Sequence, residues 1–130
     1  EAEFLIKATK QALEKAVKEM KAGKTLGDIG SAIQKIAERS KLGVIKELTG
    51  HGIGLELHED PTVYNFGKKG SGLKLEKGMV LALEPMFSLG SNRVLQLPDE
   101  SWATSDGSLS AHFEHTVAVT ENGPRILTLY

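Results

Sequence analysis

The sequence predicts an α+β fold, with helices first and a mostly antiparallel sheet after them. Apolar residues recur three and four apart over residues 1–43, then alternate in short runs broken by glycine and proline from residue 44 onward. Size agrees with one domain, residues 1–130, of which 1–43 are helical and 44–130 mostly strands; 40% of the residues are hydrophobic and 25% charged.

The first helix is expected over Glu1–Ala22. Leu5, Ala8, Ala12, Leu13, Ala16, Val17 and Met20 form its apolar stripe, and Gly23 is the expected C-cap. A second helix should start at Thr25, whose hydroxyl and the Asp28 carboxylate make a capping box with Asp in the usual Glu position. Asp28 is therefore read as a cap and not as a metal ligand. Leu26, Ile29, Ile33, Ile36 and Ala37 form the buried stripe, and Gly43 marks the end.

Strands are expected at Val44–Leu48, Leu55–His58, Met79–Phe87 (with an edge or break at Pro85), Val94–Leu97, Trp102–Thr104, Phe113–Thr120 and Arg125–Leu129. Phe66–Gly72, with three glycines and two lysines, reads as a mobile surface loop in which Lys68 and Lys69 are solvated. Asp60-Pro61 should end any regular element.

Several functional classes are excluded. A net charge of -1 gives no electrostatic case for nucleic acid or an anionic membrane. No apolar run reaches the ~18 residues of a membrane span, and no signal peptide is visible. There is no cysteine, so any metal must be held by histidine and carboxylate. The first residue is Glu1, which suggests a chain that is processed or part of a longer one.

Three stretches carry chemistry. In Gly50-His51-Gly52-Ile53-Gly54 three glycines bracket a histidine, so the backbone there bends or is closely approached; His58 follows seven residues after His51. Gly78-Met79-Val80-Leu81-Ala82-Leu83-Glu84-Pro85-Met86 ends an apolar strand in a carboxylate. Ser110-Ala111-His112-Phe113-Glu114-His115-Thr116 heads another strand with one. Alternation puts Val80, Ala82 and Glu84 on one face, and Glu114, Thr116, Ala118 and Thr120 on one face, with His112 on Glu114's side. His115 falls on the apolar side and reads as a buried, hydrogen-bonded structural residue. A carboxylate in a sheet is costly to bury unless it is paired or metal-bound. One imidazole and two carboxylates make an open site for Mn, Fe, Co or Zn.

Together with Leu55-Glu56-Leu57-His58-Glu59-Asp60-Pro61, these stretches resemble the methionine aminopeptidases, metal-dependent enzymes of the pita-bread fold, and specifically the C-terminal half of their catalytic domain. The resemblance implies removal of the N-terminal methionine of nascent proteins in the cytoplasm. It implies His51, Glu84 and Glu114 as metal ligands, with Glu114 bridging two ions. It implies His58 as a catalytic histidine that contacts the substrate near the scissile amide, Trp102 as lining the methionine pocket, and His112 as a residue beside the bridging glutamate that supports it without binding the metal. Two aspartate ligands and a further histidine belong to the family's other half. Asp60, Asp99 and Asp106 lie in loop or turn contexts and are not expected to replace them. This chain alone should then hold at most one ion, weakly, and should associate with that half or with a second copy, as a homodimer. Two alternatives remain at this point: a catalytically inactive, self-associating half-domain, and a pita-bread enzyme of the proline dipeptidase type.

Overall fold

The computed structural model describes residues 1–129. Helix α1 spans Ala2–Glu19 and α2 spans Leu26–Ser40. They are followed by ten strands: β1 Gly43–Val44, β2 Gly50–Gly52, β3 Glu59–Val63, β4 Val80–Leu83, β5 Met86–Ser88, β6 Val94–Gln96, β7 Trp102–Thr104, β8 Ser110–His112, β9 His115–Thr120 and β10 Gly123–Ile126. The helix-then-strand order is the α+β arrangement the sequence predicts. No helix is long and apolar enough to cross a membrane among the described residues.

The α1 helix stops short of Ala22. Met20 is fully buried and its N–H donates to the Val17 carbonyl. The chain then turns so that the Gly23 N–H reaches the Leu75 carbonyl. The α2 cap is as the sequence predicts. The Asp28 N–H donates to Thr25 Oγ1, and Asp28 Oδ2 accepts from the Thr25 N–H at 2.9 Å. Lys41, left-handed at φ 54°, closes α2, and Gly43 opens β1 instead.

All strand pairings are antiparallel. The larger sheet has the order β10-β9-β4-β2-β3, a second sheet runs β1-β5-β8, and β6 and β7 form a separate hairpin. The paired strands β4 and β9 continue, after a break, as the pair β5 and β8. The breaks fall at Glu84-Pro85 and at Phe113-Glu114, so the strand expected over Met79–Phe87 crosses from one sheet to the other, while the one expected from Phe113 starts at His115 and Ser110–His112 forms a strand of its own in the second sheet. The break at Pro85 follows the sequence; the one at Phe113-Glu114 does not show there, because both residues fit a strand.

The helices cover one face of these sheets. Leu81 and Leu83 of β4, Val117 and Val119 of β9 and Phe87 of β5 form one core cluster with Leu5, Ala12, Leu13, Ala16, Met20, Ile29 and Ile33. His115 lies on this helix side but is only half-buried, and its Nδ1 meets the Thr128 hydroxyl at 2.8 Å.

Three other expectations change. Leu55–His58 is not a strand: Leu55 and Leu57 are exposed and the segment is a series of bends. The strand is β3, which starts at Glu59 and includes Asp60-Pro61; proline fits there because β3 is an edge. The first and last strands are also displaced. β1 ends at Val44, and β10 starts at Gly123 so that Pro124 lies within it. Finally, the loop read as mobile is hydrogen-bonded to α2, with the Gly70 N–H donating to Asp28 Oδ1 at 3.0 Å and the Gly67 N–H to Gln34 Oε1 at 3.1 Å.

Asp28 thus caps α2 and anchors that loop. Burial pushes its carboxyl up, but the hydrogen bonds from the Thr25 and Gly70 N–H groups and the Thr25 hydroxyl, helped by the Lys24 charge, outweigh burial and hold it below the ordinary value. A carboxyl held low stabilises the fold above the ordinary value of about 3.9 and loses that contribution as pH falls through its lowered one. Asp28→Ala should cost about 1–2 kcal/mol at neutral pH. Urea unfolding of both chains, repeated at falling pH, should show the gap closing only in acid below the ordinary carboxylate range.

Candidate metal centre

Sheet register brings the site together on the face away from the helices. His51 of β2 pairs with Ala82 of β4, and Ala82 pairs with Thr116 of β9. Directly opposed residues of antiparallel strands point the same way. Glu84 is two residues beyond Ala82 and Glu114 two before Thr116, so both carboxylates flank this row, each at one of the paired strand breaks. Ala82 and Thr116 are small enough to leave space beside them. The glycines around His51 are required by close backbone approach: a side chain at Gly50 would meet the Ala82 carbonyl oxygen, and one at Gly52 the Asp60 carbonyl oxygen.

One ligand atom each from His51, Glu84 and Glu114 lie within 4.8 Å of one another, and this is the one such group found among the described residues. The His51 Nδ1 meets the Gly52 carbonyl oxygen at 2.9 Å. A carbonyl only accepts, so Nδ1 carries the proton and Nε2 is the nitrogen turned toward the carboxylates. That Nε2 lies 3.2 Å from Glu84 Oε1. At that distance the two atoms can form an ion pair or serve as neighbouring ligands of one cation. The donor set, one imidazole and two carboxylates with no thiolate, suits a divalent ion of borderline to hard character. The residues present therefore fit a metal.

Glu84 is held from three sides. His112 Nε2 lies 3.2 Å from its other oxygen, Oε2, so the contact His112 makes is to Glu84, whereas the sequence reading placed it beside Glu114. The buried Asn65 donates from Nδ2 to the Glu84 carbonyl oxygen at 2.9 Å. Sequence reading missed Asn65, since a lone asparagine before a glycine-containing loop gives no periodic signal. Asp99 and Asp106 have structural work instead. Asp99 accepts from the Ser101 N–H and hydroxyl, and Asp106 from the N–H groups of Ser91 and Ser108.

A cavity of about 400 Å³ opens beside this cluster. Its walls include His51, His58, Glu84, His112, Met86 and Trp102. The His58 and His51 rings are 4.3 Å apart between centroids. His58 is exposed and reaches the cavity from the bend before β3, not from a strand. Trp102, on β7, is half-exposed along the same cavity. Glu114 does not line this cavity. It borders the groove between α1 and β9 instead.

Residues 1–121 match metallopeptidase family M24. The chain belongs to that family. It is 49% identical over 131 residues to a methionine aminopeptidase of Clostridium perfringens, a match that covers 99% of this chain and 52% of that protein. The solved methionine aminopeptidase of Thermotoga maritima superposes with a TM-score of 0.95 at 48% identity, covering 98% of this chain and 52% of that one. The dipeptidase PepE of Mycobacterium ulcerans is less similar, with a TM-score of 0.70 at 26% identity, and the match covers 97% of this chain and 29% of that one. These neighbours show the pita-bread architecture. The chain spans about half the length of the curated relatives it matches. Membership of an M24 metallopeptidase family implies use of divalent metal.

Removing a ligand should act on metal and not on fold, because the site lies off the helix-covered core. Equilibrium dialysis against Co or Mn should show Glu84→Gln losing affinity by more than the about 10–100-fold typical of losing a supporting partner. Its thermal midpoint without metal should stay close to that of the unaltered chain. Unchanged uptake would remove Glu84 from the site.

Proposed function

We propose that this chain contributes one half of a metal-dependent aminopeptidase site that removes N-terminal methionine from nascent proteins in the cytoplasm. The observation that carries the reading is the cavity itself. It joins the His51–Glu84 pair to an apolar pocket walled by Met86 and Trp102, with Ile45, Leu48 and Val94 around them. An unbranched thioether side chain fits such a pocket, and the scissile amide then falls beside His51 and Glu84. The closer match to methionine aminopeptidases than to dipeptidases leaves the proline dipeptidase alternative with less support.

In this reading His51, Glu84 and Glu114 hold the metal. Bound divalent ions supply a water of lowered pKa and polarise the carbonyl to be attacked. The chain's own groups do the rest. His58, tilted against the His51 ring and exposed to the cavity, donates a hydrogen bond to the amide of the bound peptide or to its leaving nitrogen. The indole of Trp102 and the Met86 side chain exclude water from the methionine side chain. Asn65 holds the Glu84 backbone so that its carboxylate keeps its aim.

The family's two-ion arrangement needs more carboxylates than this cluster offers, and Asp99 and Asp106 are occupied elsewhere. The remaining ligands therefore come from a complement, either the half with the other aspartates or, less completely, a second copy of this chain in a homodimer. Methionine release from a Met-Gly-Met peptide, with added Mn or Co, tests the function with and without that half supplied. Release only with the complement is the expected result. Absence of release in a complex that binds metal would overturn the reading in favour of an inactive, self-associating half-domain, whose mass light scattering would report.

In the completed enzyme His58→Ala should lower turnover about 10²–10⁴-fold while leaving metal affinity near its starting value. Steady-state kinetics paired with metal titration separates the two effects, and equal turnover would exclude His58 from the chemistry.

A further inference from the structure

We propose that the cleft between α1 and α2, on the helix side of the sheets and away from the metal centre, binds a compact polyphosphate group. This site is independent of the aminopeptidase reading. The cleft encloses about 330 Å³, and five cationic side chains line it: Lys15 and Lys18 from α1, Lys35 and Arg39 from α2, and Lys69 from the loop after β3. None of the five makes a salt bridge among the described residues. The two carboxylates of the cleft are engaged elsewhere. Glu19 pairs with Lys24 at 3.0 Å, and Lys24 lies outside the cleft. Asp28 accepts from the Thr25 N–H and hydroxyl and from the Gly70 N–H. With Glu19 neutralised, the five cations share one carboxylate that is already hydrogen-bonded.

Helix spacing gathers these charges. Lys15 and Lys18 are three residues apart and Lys35 and Arg39 four apart, so like charges stand on adjacent turns, an arrangement that destabilises a helix. The same spacing is favourable elsewhere on α2, where Gln34 Nε2 donates to Glu38 Oε1 at 2.7 Å. Lys69 is kept near the helices because its loop is tied to α2 through Gly67 and Gly70. An anion in the cleft relieves the repulsion. Its class follows from size and charge density. The volume is at the lower end of small-molecule sites, about 300–1,000 Å³. A peptide brings at most one carboxylate per residue, at about 3.3–3.6 Å of chain each, so a cleft this small meets more charge on a phosphate chain. The Arg39 guanidinium is a planar fork that fits two phosphate oxygens, and the lysines add point charges. A long nucleic acid suits the chain poorly, because its net charge is -1 and such binding sums many spread contacts.

Tripolyphosphate is the probe, titrated by calorimetry into the chain after metal has been dialysed away, at about pH 8, above the ordinary histidine range. One saturable site per chain is expected, weakening between about 50 and 200 mM salt. Lys15→Gln and Arg39→Gln should each weaken it by about tenfold or more. All three cations compared lie at exposed positions, so the variants fold. Lys7→Gln removes the same charge from α1 outside the cleft and should leave affinity within about twofold. Glu84→Gln should also leave it unchanged, which separates this site from the metal centre. ATP, titrated in parallel, distinguishes the sources. Equal binding points to the tail of a nucleoside polyphosphate, binding of tripolyphosphate alone points to the free polyanion, and both sustain the proposal. Absence of a saturable site, an equal loss in Lys7→Gln, or tighter binding of tetraglutamate or of an oligonucleotide would overturn it. Methionine release is measured separately, so failure of either reading leaves the other standing.

Discussion

A carboxylate set into a sheet must have a positive partner, and much of this site follows from satisfying that requirement at Glu84. Its side chain is largely buried where β4 gives way to β5. Leaving it ionised and alone there would cost several kcal/mol. Two otherwise unrelated segments bring an imidazole to the carboxylate, and a third holds the backbone that carries it. β2 brings His51, β8 brings His112, and the stretch after β3 brings Asn65 to the backbone. The glycines around His51 are part of the same solution, because the strand carrying it must pass closer to β4 and β3 than side chains allow.

The fold divides its labour by faces. The helices and the inward side chains of β4 and β9 make a continuous apolar layer. The opposite face is left to small residues and charged ones. This separation lets the ligand cluster vary with little effect on the core, and lets the core fix the strand register that positions the cluster. Register matters because a slip of one residue between β4 and β9 would turn Glu84 and Glu114 to opposite faces.

Much of this was legible in the sequence. Periodicity located both helices and the capping box at Thr25 and Asp28, since those signals are local. Alternation gave the face of Glu84 within one strand and of Glu114 within another, and the family resemblance suggested that the two converge. What the sequence hid was non-local. Leu55–His58 has strand composition, yet no neighbour pairs with it, and its leucines stay exposed. Asp60-Pro61 looks like a terminator until β3 proves to be an edge, where a missing N–H is harmless. The partner of His112 could not be read either. Strand alternation placed it beside Glu114, but the break at Phe113-Glu114 ends that alternation and the register of β8 on β5 turns it to Glu84.

Those edges have a further consequence. The two outer strands of the five-stranded sheet are β3 and β10, and each contains a proline, Pro61 in one and Pro124 in the other. A passing extended chain needs an unbroken ladder of donors and acceptors to add itself to a sheet, and each border lacks one donor. Growth into cross-β ribbons is therefore discouraged at both borders.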